Sequence, residues 1–222
     1  AGLSGRRLLA FGVGATSIVT FINSLRTGLV DAFKFQNEMV RLGQTSGDTS
    51  DQVGKLQSRV TSLAVGLGVS SKELAVSATT LRQAGQSIKE VSENLRAVAL
   101  ADLAPNFRDQ KQVVEGLIAA NAQFKKSNED SVATLGSLNA VAGQFAVEAS
   151  DLVTVIQRAG GAFAAAGGNV KELAALFTSV RATTRESAET ISSSLRTIFS
   201  SLQSNETVDA LRDLRINLRY TT

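Results

Sequence analysis

The chain has 222 residues, of which 43% are hydrophobic and 19% charged, so it can bury a core and is not a disordered segment. It contains neither Cys nor His, which excludes thiol nucleophiles, disulfides, Cys/His zinc sites and histidine acid–base catalysis. The 23 basic and 20 acidic residues nearly balance, and they form no extended basic cluster that would predict specific binding to nucleic acid.

Residues 5–42 are predicted to form one long helix. No charge interrupts the sequence between Arg7 and Arg26, and apolar residues recur at helical spacing on one face, namely Leu8, Phe11, Ile18, Ile22 and Leu25. Two interpretations stay open, a helix buried between subunits and a membrane-active or pore-forming helix. The uncharged stretch just reaches the length of a membrane span, but it is diluted by polar residues, including Thr16, Ser17, Thr20, Asn23 and Ser24.

The remainder is predicted to be a series of shorter helices. A turn or linker is expected at residues 43–50 and a helix at 51–66 that ends at the Gly66 and Gly68 pair. Further helices are expected at 108–124, 129–146, 150–160 and 186–203, with a break at Pro105. No segment alternates with period two, so the predicted fold is all-α, a long N-terminal helix followed by a compact array of antiparallel helical hairpins.

Four regions follow from this pattern. They are a long helix at 1–42, a linker and helix at 43–69, a core helical domain at 70–203, and a C-terminal helix or the start of further chain at 204–222. Because the chain opens with Ala1 rather than Met, we expect it to be part of a longer polypeptide.

One short motif occurs twice in the core region. The sequence AGQSIKEV at 84–91 is repeated as AGGNVKEL at 166–173, which is 82 residues further on. The glycine permits a left-handed helix end, and the Ser or Asn with the Glu three residues later forms a capping box that starts the next helix. The candidate helix-junction and packing residues are therefore Gly85, Ser87, Glu90, Gly167, Asn169 and Glu172.

The sequence offers no recognisable reaction chemistry. It has no phosphate-binding loop with its Lys, no nucleophile elbow and no metalloprotease motif. Carboxylates such as Glu90 and Glu93 share a helical face, but Glu90 is expected to act as a cap, and sugar-binding aromatic platforms are scarce because the chain has one Tyr and no Trp. We predict a non-enzymatic protein without catalytic, cofactor or metal sites, suited to self-association through closely packed or coiled-coil helices.

Three ordered stretches resemble the core domain of the bacteriophage tail tape measure protein family. They are DAFKFQNEMVRLGQTSG at 31–47, LAVGLGVSSKELAVSATTLRQAGQSIKEVSENLRAV at 63–98, and VIQRAGGAFAAAGGNVKELAALFTSVRATTRESAETISSSLRTIFSSL at 155–202. The Ala-Gly pairs at 84–85 and 166–167 and the Ser194-Leu195-Arg196 helix are the best anchors. The family's glycine before its last helix is replaced here by Ala182-Thr183-Thr184-Arg185-Glu186.

The resemblance implies a structural and assembly protein of the tail lumen, tail tip or baseplate. Such a protein sets tail length, nucleates tail tube assembly and leaves at genome ejection. The implied partners are further copies of the chain, as a trimer or hexamer on the tail axis, together with tail tube proteins and tail tip or baseplate hub proteins, with host membrane contact during ejection. The implied location is the virion, with the host cytoplasm during assembly, and no specific nucleic acid or cofactor is implied.

Overall fold

The structure is a computed structural model that describes residues 4–107, 109–124, 130–145 and 147–213. Within the first helix, the side chains of residues 4–19, 21, 22 and 25 fall outside this description. Across the described ranges the chain forms ten helices and no strand, which confirms the all-α prediction. In chain order these are α1 (Ser4–Ser46), α2 (Ser50–Leu67), α3 (Ser71–Gln83), α4 (Ile88–Asp102), α5 (Gln110–Gln123), α6 (Ser131–Gln144), α7 (Ala149–Ala165), α8 (Val170–Thr184), α9 (Ala188–Ser201) and α10 (Asn205–Asp213).

The starts of the odd-numbered helices recur at a fixed spacing. The N-cap residues of α3, α5, α7 and α9 follow one another at intervals of 39 residues, at Ser70, Asp109, Glu148 and Ser187. Each lies in extended backbone, where a short polar side chain can accept a hydrogen bond from the first turn of the helix. The chain therefore repeats one helical hairpin about every 39 residues, a period typical of stacked helical repeats.

The repeated hairpins stack into two rows of helices. The odd helices pack in succession, α1 on α3, α3 on α5, α5 on α7 and α7 on α9, and the even helices do the same from α2 to α8. The core lies between the two rows, because each hairpin also packs its odd helix against its even helix. A stack of this kind is stabilised by contacts between neighbouring repeats, since no single hairpin can bury its own apolar face.

Three positions of each odd helix supply the core. The fourth, eighth and eleventh residues after each N-cap share one helical face and are buried in three successive helices. They are Leu74, Ala78 and Leu81 in α3, Val113, Leu117 and Ala120 in α5, and Leu152, Ile156 and Ala159 in α7. The end of α1 has Met39 and Leu42 at the corresponding positions, also buried, so the last turns of the long helix belong to the first repeat.

Two glycines let α5 and α7 approach closely. A Cβ on Gly116 of α5 would lie 2.8 Å from Cγ2 of Val153 on α7. A Cβ on Gly160 of α7 would lie 3.0 Å from Cε2 of Phe124, at the end of α5. Both contacts are shorter than ordinary van der Waals distances, so the packing of this pair of helices requires the absence of a side chain at both positions.

Several predicted boundaries differ from the structure. The linker was predicted at 43–50 but comprises only residues 47–49. The helix α1 continues to Ser46, and Thr49 caps α2 through a capping box with Gln52. The predicted helix end at Gly160 is wrong, since α7 continues to Ala165 and Gly160 serves packing rather than a turn. The turn after α8 is made without glycine, by Arg185 with φ 59°.

The spacing of Ser127 and Asp130 in the sequence is that of a looser capping box, with Asp in place of Glu. Residue 127 lies outside the described residues, while Asp130 caps α6 by accepting a hydrogen bond from the backbone N–H of Val132 at 3.4 Å.

Candidate interaction surfaces

The two copies of the junction motif join the odd and even helices of the second and fourth hairpins. At the first junction Gly85 has φ 85°, Ser87 Oγ accepts from the Glu90 backbone N–H at 3.3 Å, and Glu90 Oε2 accepts from the Ser87 N–H at 2.7 Å. The backbone at Gly85 is thus left-handed, which favours glycine. These groups satisfy the otherwise unpaired donors at the start of α4.

The second junction has the same geometry. Gly167 has φ 90°, and Asn169 exchanges hydrogen bonds with Glu172 at 3.0 and 3.1 Å. An additional constraint operates here, because a Cβ on Gly168 would lie 2.1 Å from Cε1 of Phe163. The six junction residues therefore lie where helices turn and begin, and the structure brings the two sets to different repeats rather than to one site.

A polar network that the sequence analysis missed joins the first three hairpins. Arg82 at the end of α3 donates to both carboxylate oxygens of Asp48, through Nε at 2.8 Å and Nη2 at 2.6 Å, and its Nη1 donates to the backbone oxygen of Gln86. Gln86 Oε1 accepts from Asn94 Nδ2 at 2.7 Å, and Asn94 Oδ1 accepts from the hydroxyl of Ser131 at the start of α6. Because these hydrogen bonds join residues of different hairpins, they help to set the relative positions of successive hairpins.

The charged pair in this network is shielded from water. The side chains of Asp48 and Arg82 are 6% and 15% exposed. Burial alone would raise the pKa of Asp48, but hydrogen bonds from Arg82 and Ser46 and the charge of Arg82 outweigh it and hold the pKa below its ordinary value. Asp48 is therefore ionised at neutral pH and paired, which is a structural arrangement rather than a reactive one.

The most prominent apolar exposure is on the long helix before it joins the stack. Leu29 is 63% exposed, Phe33 70% and Val40 49%. Every side chain that the structure describes between Thr20 and Lys34 is exposed, and burial begins with Phe35 and Met39. Large exposed apolar side chains that share a helix are typical of a surface that meets a partner.

The residues predicted to form an oligomer or membrane helix lie outside the described side chains. These are Leu8, Phe11, Ile18, Ile22 and Leu25, whose backbone belongs to α1. Within the part of the chain that the structure describes, no helix combines the length and apolarity needed to cross a membrane.

The described residues contain little that could support chemistry. They hold no group of three or more His, Cys, Asp or Glu side chains placed to bind a metal ion. A groove of about 340 Å³ lies where the loop at Pro105 meets the start of α7, and its carboxylates include Asp109 and Glu148. Both act at helix N-termini, with Asp109 accepting from the Lys111 backbone N–H at 2.9 Å, so the groove presents caps rather than a reactive pair.

Comparison with known proteins supports a structural role. No solved structure matches the chain. A family model described as phage-related minor tail protein matches residues 98–222, from the last turns of α4 to the end of the sequence. This match covers more than half of a chain whose described part consists of stacked helices, and it assigns the protein a structural role in a phage tail. The chain belongs to the phage-related minor tail protein family.

Proposed function

We propose that this chain is part of a tail tape measure protein, which sets the length of the phage tail and nucleates assembly of the tail tube. The observation that carries the proposal is α1, a continuous helix of 43 residues joined to a folded stack. At 1.5 Å per residue such a helix is about 64 Å long. The ordered resemblance of residues 31–203 to the tape measure family and the minor tail family match support it independently.

The two parts of the chain have different tasks in this proposal. The long helix contributes to measured length, because each helical residue adds a fixed rise along the axis. The stack folds back on itself at every junction from Gly47 to Ser187, so its residues contribute little length, and they instead offer surfaces to tail tube and tail tip or baseplate hub proteins. Several copies, as a trimer or hexamer, surround the tail axis in the lumen or tip, and they leave at genome ejection.

Tail length in the phage that encodes this chain tests the proposal. Duplicating residues 5–39 adds 35 residues to the long helix and keeps its seven-residue pattern, so tails should lengthen by about 50 Å. The matched control duplicates residues 110–148, one complete hairpin repeat, and should lengthen tails far less, although it adds more residues. Electron microscopy of purified tails measures both.

Unchanged tail length after duplication of residues 5–39 would contradict the proposal, as would equal lengthening by the two duplications. If tails were unchanged and the intact protein released dye from lipid vesicles, the membrane-active alternative for residues 8–25 would gain support instead.

A further inference from the structure

A cleft of about 680 Å³ opens between the second and third hairpins, at the edge of the stack where odd helices turn into even ones. We call it the junction cleft. It is lined by the α3–α4 junction at residues 84–86, the last turns of α5 and the first turn of α6, together with Val170 at the start of α8. Its volume lies within the range of sites that bind organic ligands.

Thr134 lines this cleft with a hydroxyl that makes no hydrogen bond to any described residue, although the residue is only 5% exposed. Seven polar side chains are buried in the described part of the chain, and the other six all make hydrogen bonds. Thr79 and Thr178, for example, donate to carbonyl oxygens one turn earlier, at 3.1 and 2.7 Å. A buried hydroxyl without a partner costs free energy, so it is typical of a group that a bound molecule completes.

The charged side chains that line the junction cleft are acidic. Glu90 and Glu93 lie on α4 and Asp130 at the start of α6, and none of the described lining residues is basic. Lys89 comes within 4.0 Å of Glu93, but its side chain is 86% exposed. The described residues hold no group of three or more carboxylates placed to bind a metal ion. The cleft therefore favours a larger organic cation and disfavours phosphate-bearing ligands.

The remaining lining residues match the chemistry of a peptide. Asn121 presents a side-chain amide that makes no hydrogen bond within the described residues. An amide and a hydroxyl together offer donors and acceptors, as a peptide backbone requires. Ile118, Phe124 and Val170 supply an apolar wall, against which an apolar side chain can pack.

We propose that the junction cleft binds a segment of a partner protein in which a lysine or arginine adjoins apolar residues. The cation pairs with Glu93 and Asp130, and a polar group of the segment bonds to the hydroxyl of Thr134. The inference rests on the proposed function for the expectation that the stack meets other tail proteins. It identifies the place on the stack and the chemistry of the segment that binds there.

Fluorescence anisotropy with the purified full chain tests the inference. The probe is a fluorescein-labelled hexapeptide in which arginine alternates with leucine, and wild type should bind it. The same peptide with citrulline, a neutral isostere of arginine, should bind far more weakly. Glu93→Gln should weaken binding of the arginine peptide by about tenfold. Glu115→Gln is the matched control, since Glu115 also pairs with a lysine one turn away, at 3.8 Å from Lys111, and it should have no effect.

A second pair of variants separates a ligand-binding hydroxyl from a structural one. Thr134→Val should weaken peptide binding by about fivefold without lowering the melting temperature, because the hydroxyl has no partner among the described residues. Thr178→Val is the control at the same 5% exposure. It breaks the hydrogen bond to the Ala174 carbonyl, so it should lower the melting temperature and leave peptide binding unchanged.

Two other occupants would be revealed by the same assay. Residues 125–129 join Phe124 to Asp130, lie outside the described residues and include Lys125 and Lys126. If the peptide bound a Lys125→Ala, Lys126→Ala variant but not wild type, the cleft would belong to the chain's own lysines and the inference would be wrong. Displacement of the peptide by an equal concentration of spermidine would assign the cleft to a free polyamine, with the same consequence.

Three further results would each overturn the inference. They are no binding of the arginine peptide to wild type, equal affinity for the citrulline peptide, and Glu93→Gln and Thr134→Val variants that bind as tightly as their controls. Peptide binding and tail length are measured separately, so either proposal can fail while the other stands.

Discussion

Arg82 and Asp48 lie 34 residues apart in sequence, yet the guanidinium donates two hydrogen bonds to the carboxylate, at 2.6 and 2.8 Å, at the junction of the first two hairpins. Another pair, Lys55 and Asp51, has an equally short contact of 2.7 Å, but both side chains are more than 70% exposed on α2. Comparing the two pairs therefore separates the effect of burial on the free energy of unfolding from the effect of the distance between the charges.

We expect Arg82→Met to lower the free energy of unfolding by about 3 kcal/mol, because it leaves the carboxylate of Asp48 buried without its partner. The matched change Lys55→Met should alter it by less than about 0.5 kcal/mol, since an exposed pair is screened by water. Urea denaturation of both variants measures the difference. Similar losses in the two variants would show that the Arg82 pair is no more important than a surface contact.

The same pair predicts how stability depends on pH. Because the pKa of Asp48 is lower in the folded state than its ordinary value of 3.8, its contribution is fully present above 3.8 and is lost as pH falls through the folded pKa. The stability difference between wild type and Asp48→Asn should therefore narrow in acid. Glu189 also has a lowered pKa, chiefly from a hydrogen bond with its own backbone N–H, but it titrates in both proteins. If the stability difference between wild type and Asp48→Asn stayed constant as the pH fell below 3.8, the assignment of this pH dependence to Asp48 would be wrong.

Replacing two glycines within helices by alanine should have opposite effects on the free energy of unfolding. Gly116→Ala should lower the free energy of unfolding by about 1–3 kcal/mol, because the new Cβ would overlap Val153. Gly136→Ala in α6 should raise it by about 0.5–1 kcal/mol, because nothing lies within 4 Å of its Cβ position and alanine is the better helix former. Thermal and urea denaturation distinguish the two, and destabilisation by both variants would argue against the close approach of α5 and α7.

The repeat length predicts which deletions the fold tolerates. Removing residues 110–148 joins Asp109 to Ala149, so a capping residue still precedes α7 and the core positions stay in phase. We expect a helical protein that unfolds cooperatively with reduced stability, as stacked repeats do when one is lost. Removing residues 110–129 instead deletes α5 alone, so that α4 and α6, two even-numbered helices, follow one another, and this change should abolish cooperative unfolding. Identical behaviour of the two deletions in thermal melts would exclude a 39-residue structural repeat.

Sequence patterns predicted the helices well, because each apolar face, capping box and terminal glycine acts over a few neighbouring residues. The stacking of those helices was not predicted. Its repeat preserves only the spacing of apolar positions such as Leu74, Val113 and Leu152, which any amphipathic helix shares. The similar motifs at Gly85 and Gly167 lie 82 residues apart, which is two repeats but not twice 39 residues, so they concealed the shorter period.

The polar network was invisible for a different reason. Nothing in the sequence around Asp48 or Asn94 distinguishes a buried, paired side chain from a solvated one, and their partners are 34 and 37 residues away. The error at Gly160 has a similar origin, because a glycine needed for close helix packing and a glycine that ends a helix look alike in sequence.

Since α1 runs from Ser4 to Ser46 as one helix, with no proline within it, its projecting part and its packed last turns share a single ladder of backbone hydrogen bonds. The projecting residues 4–34 form a lever of about 46 Å. A rotation of the stack by one degree would displace the tip of that lever by about 0.8 Å, so small tilts at the folded end become measurable shifts at the other. The orientation of the stack therefore determines the direction of α1. A partner that binds the stack also determines where the N-terminal end of α1 lies.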